Sequence, residues 1–441
     1  MAFLKFEDID KSFGENNVIS KFNLEVEKGQ FIVLLGPSGC GKSTLLRMIA
    51  GLEKIDKGKI LLENSLLNDL LPSKRQIAMV FQSYALYPHM NVFNNISFGL
   101  INDKLSKNEI KDKVLEAAKK SDHWNSKLEK ELGNGKLRGR GIASGYWFNI
   151  GEKSAVNLSL NMDGTVILTE GSTDIGGSRA SIAMQAAEVL GISAESVRPS
   201  VVDTDSIGHT DVTGGSRTTY ATGYAAYKAA HMLIDEITSK AAKIWDLSED
   251  EVVYKDGILS SRTDSELNMT LREFADQNPF GPVVSSASVD LEEAAGGFGT
   301  HIVDLEIDPE TGKTDVIRYT VLQDVGKAIH PSYVEGQLQG GATQGIGWAL
   351  NEEYFMSEDG RMLNSSYLDY RMPIALDLPM IETVLVEVPS EDHPFGVRGV
   401  GETPICPPVP AISNAVNDAI GTRILSTPIK ASKILNTLKS M

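Results

Sequence analysis

Hydrophobic and polar positions change their spacing several times along the chain, and each spacing predicts one kind of element. Apolar residues that alternate with polar ones, or that form short runs, predict strands, whereas apolar residues at helical spacing in longer Ala-rich stretches predict helices. The predicted strands are Leu4–Ile9, Phe22–Val26, Phe31–Leu35, Lys59–Leu62, Ile77–Phe81, Ala155–Leu160, Thr165–Thr169, His301–Ile307 and Thr314–Leu322. The predicted helices are Thr44–Ala50, Asn108–Lys120, Ala180–Leu190, Thr219–Trp245, Tyr333–Leu350 and Pro410–Ile420.

Breaks in this pattern divide the chain into three segments. Residues 1–120 form the first segment, in which Gly51 is the expected end of a helix. Residues 121–141 carry Gly133-Asn-Gly135, Arg138-Gly-Arg-Gly141 and scattered charges, which predict a linker or an irregular entry. Residues 142–441 again alternate strands and helices, and Asp163-Gly164 predicts a hairpin turn.

Composition and charge support more than one globular module. With 441 residues, 41% hydrophobic and 23% charged, the chain has ordinary globular values and a length that suggests two or three domains. Residues 1–120 hold 17 Lys and Arg against 14 Asp and Glu, a net of +3, whereas the whole chain carries −17, which leaves −20 for the remainder. A join between unrelated modules produces such asymmetry, and the acidic larger part argues against nucleic-acid binding.

Several function classes receive no support from the sequence. Two cysteines, Cys40 and Cys406, are too few for an iron–sulfur cluster, which takes about four thiolates. The seven histidines are dispersed without zinc-site spacing. No apolar run approaches the ~18 residues of a membrane span, and the first residues lack a secretory pattern, so we expect a cytoplasmic protein.

The strongest local motif lies between a predicted strand and a predicted helix. Residues 36–43 read Gly-Pro-Ser-Gly-Cys-Gly-Lys-Ser, a complete phosphate loop. Glycines let backbone N–H groups converge on a phosphate, and the following helix presents its positive end. Lys42 is placed to reach the outer phosphates of a nucleotide and the Ser43 hydroxyl to ligate Mg²⁺. The nucleotide-binding residues predicted in this loop are Gly36, Ser38, Gly39, Cys40, Gly41, Lys42, Ser43 and Thr44.

The sequence around this loop resembles the ATP-binding subunit of ABC transporters of the sugar-importer type. The resemblance rests on residues 35–53, on Met79-Val-Phe-Gln-Ser-Tyr-Ala-Leu-Tyr-Pro-His-Met90 and on residues 95–100. It implies that Phe13 stacks on adenine and that Gln82 senses Mg²⁺ and the attacking water. A strand-end aromatic that is simply buried is the alternative for Phe13. Membrane-embedded transporter subunits are the partners that this family implies.

The ABC resemblance stops about halfway through its domain. The LSGGQ signature, an apolar strand ending in Asp-Glu and the switch histidine do not follow in order. Since no carboxylate is placed to orient water, we expect ATP and Mg²⁺ binding without an obvious base for hydrolysis.

Glycine-rich turns before helices recur in the rest of the chain. Two such turns are Gly171-Ser-Thr-Asp-Ile-Gly-Gly-Ser178 and Thr213-Gly-Gly-Ser-Arg-Thr-Thr219, and three further motifs follow: Asp324–Pro331, Val334–Gly341 and Gly399-Val-Gly-Glu-Thr-Pro404. Such turns aim N–H groups and hydroxyls at an anionic group, although a single one is equally well a plain helix entry. In this order they resemble the C-terminal half of the molybdenum-binding large subunit of the xanthine dehydrogenase and aldehyde oxidase family.

The second resemblance implies a cofactor site and a base. Glu402 is the expected catalytic base in the insertion of a water-derived oxygen at an electrophilic carbon, and a helix-entry carboxylate is its alternative role. An N-heterocycle or an aldehyde is the implied substrate, and partners would carry the Fe–S and FAD groups that this chain lacks. The molybdopterin contacts that the resemblance implies are Gly176, Gly177, Ser178, Gly215, Ser216, Thr218, Thr219 and Gln337, with no protein ligand to molybdenum.

The second resemblance is also incomplete. Many relatives carry Met-Gly-Gln-Gly where this chain has Ile175-Gly-Gly-Ser178, so a glutamine near the metal is replaced by Gly177. The first part of the molybdenum domain has no counterpart either. The sequence therefore predicts a chimera, an incomplete α/β P-loop NTPase fragment followed by an α+β molybdopterin-binding domain, joined near residues 114–120. An oxidoreductase module, a nucleotide-binding or transport subunit, and a nonfunctional fusion product remain open.

Overall fold

The chain divides into two units, Met1–Ala85 and Leu86–Met441. The computed structural model describes residues 3–13, 16–30, 32, 34, 41–51, 53–63, 65–70, 75, 121–130, 132–203, 205–291 and 294–441. The predicted elements Ile77–Phe81 and Asn108–Lys120, and most of Phe31–Leu35, lie outside these residues.

The described residues of the first unit form an antiparallel sheet and one helix. Its elements are β1 (Leu4–Phe13), β2 (Asn16–Val26), α1 (Lys42–Ala50), β3 (Lys57–Leu62) and β4 (Ser65–Leu66), and the strand order is β2-β1-β3-β4. Phe6, Ile60 and Met48 are buried in one apolar cluster, which therefore joins strands to the helix. Helix α1 ends at Gly51 with a left-handed φ of 78°. The predicted end at Gly51 is confirmed, because only glycine adopts that conformation at little cost.

The second unit alternates strands and helices. None of the helices in the described ranges combines the length and apolarity that a bilayer crossing demands. The strands are β5 (Leu137–Asn149), β6 (Glu152–Leu160), β7 (Val166–Glu170), β8 (Val197–Val201), β9 (Val252–Lys255), β10 (Ile258–Ser261), β11 (Asn268–Thr270), β12 (Val284–Leu291), β13 (Ala294–Ile307), β14 (Thr314–Asp324) and β15 (Ile381–Val386). The helices are α2 (Asp122–Asn125), α3 (Ser178–Leu190), α4 (Gly223–Trp245), α5 (Leu271–Gln277), α6 (Pro331–Leu350), α7 (Pro408–Ile420) and α8 (Ala431–Ser440).

Two four-stranded sheets carry the cores of this unit. The sheet β12-β6-β7-β8 packs its buried side chains against α3 and α4, and the sheet β15-β14-β13-β5 packs against α6 and α7. β6 and β7 pair antiparallel across the turn at Asp163-Gly164, as the sequence predicts. Each core helix begins within a few residues of its predicted start. A π-helical turn at Thr218–Thr222 precedes α4, so the regular helix starts four residues later than predicted.

The segment expected as a linker contains part of a sheet. β5 begins at Leu137 and pairs along its length with β13, so residues 137–141 are regular structure rather than irregular chain. A Cβ atom at Gly139 or Gly141 would collide with the backbone carbonyl oxygen of Ala415 or Ala411 on α7. These glycines therefore allow strand and helix to pack closely, whereas the sequence pattern indicated flexibility.

Buried charges attach the first residues after the join to the second unit. His123 is fully buried in α2, and its Nε2 lies 2.9 Å from Oδ2 of Asp304 on β13. The Arg140 guanidinium donates to both carboxylate oxygens of Asp304, at 2.6 and 2.7 Å. Although burial alone would raise it, the hydrogen bonds from Arg140 and His123 lower the pKa of Asp304 to about 2. Residues 122–125 thus belong to the packed body of this unit.

Replacing Gly141 by alanine tests the close contact of β5 and α7. We expect Gly141→Ala to reduce the free energy of unfolding of the second unit by about 1–3 kcal/mol, because the added methyl group overpacks the interface. Urea unfolding followed by tryptophan fluorescence measures this, since all 4 tryptophans lie after residue 120. Gly336 on α6 has open space at its Cβ position and is the matched control. Gly336→Ala should be neutral or stabilise by up to about 1 kcal/mol, and equal losses in both variants would contradict the packing explanation.

Candidate functional site

A cavity of about 600 Å³ lies in the second unit, where several loops and one helix meet. Its walls come from residues 175–181, 213–219, 325–334 and 397–402 and from one face of α6. Of the side chains and glycines predicted as a site, the cavity is lined by Gly176, Ser178, Ser216, Thr218, Thr219, Gln337 and Glu402. Positions up to 226 residues apart in the sequence are thereby brought to one place.

The first glycine turn is shaped by its contact with α6. Gly176 and Gly177 both have positive φ, 61° and 77°. A Cβ at Gly176 would collide with the Gln337 amide, and one at Gly177 with the Tyr333 ring. Gly177 therefore supports the wall rather than lining the cavity. Ser178, which opens α3, is 6% exposed, and its Oγ has no hydrogen-bond partner among the described residues.

The second glycine turn is held by an arginine that sequence analysis missed. Arg217 is fully buried, and its guanidinium donates to the carbonyl oxygens of Gly151 at 2.7 Å and Asp211 at 3.1 Å. It also donates to the carbonyl of Lys153 and to Ser154 Oγ. A buried arginine must satisfy its donors, so these bonds fix the turn to the start of β6. The only sequence signal was an arginine inside an otherwise small and hydroxylic motif.

Next to this arginine, two residues adopt a left-handed conformation. Gly215 has φ 59° and Ser216 has φ 57°. A Cβ at Gly215 would collide with the Ile150 side chain, so Gly215 lies behind the cavity wall. Ser216, in contrast, lines the cavity.

The loop before α7 brings a carboxylate into the cavity. Glu402 donates from its backbone N–H to Ser216 Oγ at 3.0 Å, and Ser216 Oγ donates to Glu402 Oε2 at 3.1 Å. Arg398, in the same loop, donates to the carbonyl oxygens of Val388 and Gly296, at 2.9 and 3.0 Å. Burial, followed by the negative charge of Glu402, raises the pKa of the nearby Cys406 thiol to about 12.

A buried histidine closes the loop from behind. His393 is 4% exposed, and its Nδ1 accepts from the Phe395 N–H at 3.1 Å. Its Nε2 lies 3.2 Å from the Tyr220 carbonyl oxygen and is therefore the protonated nitrogen. Burial lowers the pKa of His393 to about 4. The neutral ring thus links the loop to the π-helical turn behind the second glycine turn.

The first unit shows part of the predicted nucleotide site. Gly41 is the N-cap of α1 with φ 94°, and Lys42 is the first helical residue, followed by Ser43 and Thr44. Phe13 ends β1 and is 48% exposed, so the buried alternative is not observed. Gly36, Ser38, Gly39, Cys40, Gln82 and the Ser43 side chain lie outside the described residues.

The two sheets and the loop-lined cavity define a domain of the molybdenum hydroxylase type. A family model described as molybdopterin cofactor-binding domain matches residues 115–379, more than half of the chain. The chain therefore belongs to this family of molybdopterin-binding domains.

Solved structures agree with this family. The chain is similar to CO dehydrogenase from Oligotropha carboxidovorans, at 26% identity and a TM-score of 0.61, over 69% of this chain and 41% of that one. It is also similar to quinoline 2-oxidoreductase from Pseudomonas putida 86, at 25% identity and a TM-score of 0.62, over 70% and 42%.

The first part of the chain is similar to other proteins. The ABC transporter model matches residues 19–162 and so overlaps the first match from residue 115. The lactose transport ATP-binding protein LacK of Rhizobium radiobacter is 56% identical over 119 residues, which are 27% of this chain and 33% of LacK. The chain spans about a third of the curated relatives that it matches and less than half of the solved ones. The predicted chimera of a truncated ABC-type segment and a molybdopterin-binding region is confirmed.

His393 predicts a pH dependence of stability. Its folded-state pKa of about 4 lies below the usual 6.5, so the unfolded chain takes up the proton first. Stability is therefore complete above about pH 6.5 and declines as the pH falls toward 4. We expect His393 to account for a loss of about 2 kcal/mol between pH 7 and pH 5.

The buried His301, whose pKa burial lowers to about 3, acts in the same direction. Urea unfolding at both pH values, followed by tryptophan fluorescence, should thus show a smaller loss in His393→Gln than in the unsubstituted chain. The exposed His231 provides the control, since His231→Gln should keep the full loss. An unchanged loss in His393→Gln would refute the assignment.

Proposed function

We propose that the second unit works as a molybdenum-cofactor-dependent oxidoreductase module with Glu402 as its base. The observation that carries the proposal is the convergence of one carboxylate with two glycine turns, several hydroxyls and one side-chain amide on a single cavity. Cavities of roughly 300–1,000 Å³ are the usual size for cofactor sites, and this one falls within that range.

The residues of the cavity fit molybdopterin. Ser178 Oγ is buried without a partner in the described part of the chain, so it offers a hydrogen bond to a bound group. The N-terminus of α3 lies beside it and favours an anion. Gln337 both donates and accepts, which suits the edge of a pterin ring. The described residues contain no group of three His, Cys, Asp or Glu that would hold a metal, so the pterin dithiolene would hold the molybdenum.

The chemistry divides between the cofactor and the chain. The cofactor, when bound, supplies the metal centre that transfers a water-derived oxygen and accepts two electrons. Glu402 accepts the proton that leaves the water-derived oxygen, and the hydrogen bond from Ser216 holds its carboxylate in the cavity. The rear walls built by Arg217 and His393 keep these groups in place.

The substrate is an N-heterocycle or an aldehyde in this proposal. Among the structural neighbours, one is named for quinoline and another is an aldehyde oxidoreductase. Electrons would leave through partners that carry Fe–S and FAD groups, because two cysteines cannot build a cluster in this chain.

Nucleotide binding by the first unit is a second candidate function. Gly41 caps α1 with a left-handed φ and Lys42 is the first residue of that helix, which supports a phosphate loop ending here. Phe13 would stack on adenine, and Ser43 and Gln82 would contact Mg²⁺. Membrane subunits of a transporter would be the partners of this activity.

Cofactor content and turnover test the oxidoreductase proposal. The full chain, made in a host that synthesises the cofactor, should contain about one molybdenum and one pterin, measured by mass spectrometry and by fluorescence of the oxidised pterin. Glu402→Gln should keep this content and lose about 10²–10⁴-fold in turnover of an N-heterocycle or aldehyde with a dye acceptor, since a general base is removed. Glu391→Gln, an exposed carboxylate nearby, should change neither. A chain free of metal and pterin would reject the proposal.

Calorimetric titration of the full chain with ATP and Mg²⁺ tests the second function. We expect measurable binding that Lys42→Ala weakens at least about tenfold, because a charge-assisted contact to the phosphates is lost. Lys28→Ala removes the same charge from an exposed side chain of this unit and should leave binding unchanged. Absence of heat in the unsubstituted chain would reject nucleotide binding.

A further inference from the structure

Ser216 has an unusual backbone conformation for a serine. Its φ of 57° is left-handed, directly after Gly215 at 59°. A non-glycine residue in this region is strained unless its surroundings hold it there. Glycine would adopt this conformation without strain, so the presence of serine at position 216 needs an explanation. The side-chain hydroxyl is the group that serine has and glycine lacks.

The Ser216 hydroxyl forms two hydrogen bonds with the same residue, Glu402. It accepts from the Glu402 N–H at 3.0 Å and donates its proton to Glu402 Oε2 at 3.1 Å. A hydroxyl has one proton to donate and two lone pairs. Ser216 therefore cannot donate to a cofactor while it donates to Glu402.

Neighbouring contacts fix the position of Ser216. Gly399 approaches so closely that a Cβ there would collide with the Ser216 carbonyl oxygen. On the other side, Arg217 is bonded to the chain between residues 151 and 154. Ser216 is thus held between the second glycine turn and the loop that carries Glu402.

We propose that Ser216 is a positioning residue for Glu402 and that its hydroxyl does not donate a hydrogen bond to the cofactor. The bond to Oε2 leaves the other carboxylate oxygen, Oε1, to accept the proton, since none of the described residues donates a hydrogen bond to Oε1. This inference rests on the proposed function and names the oxygen of Glu402 that takes the proton.

Two substitutions separate the hydroxyl from the backbone strain. Ser216→Ala removes the hydroxyl and keeps the strain, whereas Ser216→Gly removes both. We expect both variants to retain molybdenum and pterin at the level of the unsubstituted chain. Both should lose about 10- to 100-fold in kcat with little change in KM, the factor that a hydrogen bond to a charged group carries. In a Glu402→Gln background neither should cause a further loss.

Stability provides a readout that a structural role would move differently. Ser216→Gly should melt at a higher temperature than Ser216→Ala, because glycine relieves the left-handed strain. If kcat instead follows the melting temperature, so that glycine restores turnover and alanine does not, Ser216 acts through the backbone and the inference is overturned.

Orientation of the carboxylate is also measurable without the cofactor. Carbodiimide labelling followed by mass spectrometry should modify Glu402 about two- to tenfold faster in both Ser216 variants, because one hydrogen bond to the carboxylate is lost. Equal labelling rates in the variants and the unsubstituted chain contradict the inference, whether or not cofactor is bound.

Ser178→Ala is the matched control from the same cavity. Its buried hydroxyl has no partner in the described residues, so its loss should lower cofactor content while the labelling of Glu402 stays unchanged. If the Ser216 variants lack the cofactor while the unsubstituted chain contains it, only this inference is overturned. A cofactor-free unsubstituted chain would instead reject the proposed function.

Discussion

The site of the second unit depends on the buried guanidinium of Arg217. A charged group without water must donate its hydrogen bonds to protein oxygens, and Arg217 finds them on Gly151, Lys153 and Ser154. These bonds place the preceding residue, Ser216, against Glu402. The position of the Glu402 carboxylate in the cavity thus depends on the buried Arg217, although Arg217 acts through Ser216 and does not itself donate to that carboxylate.

Sequence patterns predicted the helices and strands, and which residues form the site, better than the hydrogen bonds between the site residues. Most site residues could be recognised in the sequence because they lie in or beside glycine-rich turns that precede helices. Such turns contain glycine because left-handed φ values, as at Gly176, favour it. The left-handed conformation of Ser216 and its bond to Glu402 could not be predicted, because both depend on chain segments that meet only in the fold. Gly139 and Gly141 were misinterpreted for a related reason, since a missing side chain permits either flexibility or close packing.

Parts of two protein families share this polypeptide. The described residues of the second unit form two four-stranded sheets with covering helices, a three-stranded sheet, and a cavity lined from both glycine turns. The described residues of the first unit form a four-stranded sheet and the helix Lys42–Ala50. The matches to the two families overlap at residues 115–162, which includes all of the predicted join at 114–120 except its first residue. Charge changes sign across the same region.

The buried contact of His123 with Asp304 has a consequence for how such a chain can arise. Because the described residues of the second unit are already packed at residue 122, a recombination point just upstream leaves the described core strands and their helix partners intact. Exchanging the sequence before that point would leave these buried contacts untouched. The second unit is in this sense portable, a block that different leading segments could precede without rebuilding its interior.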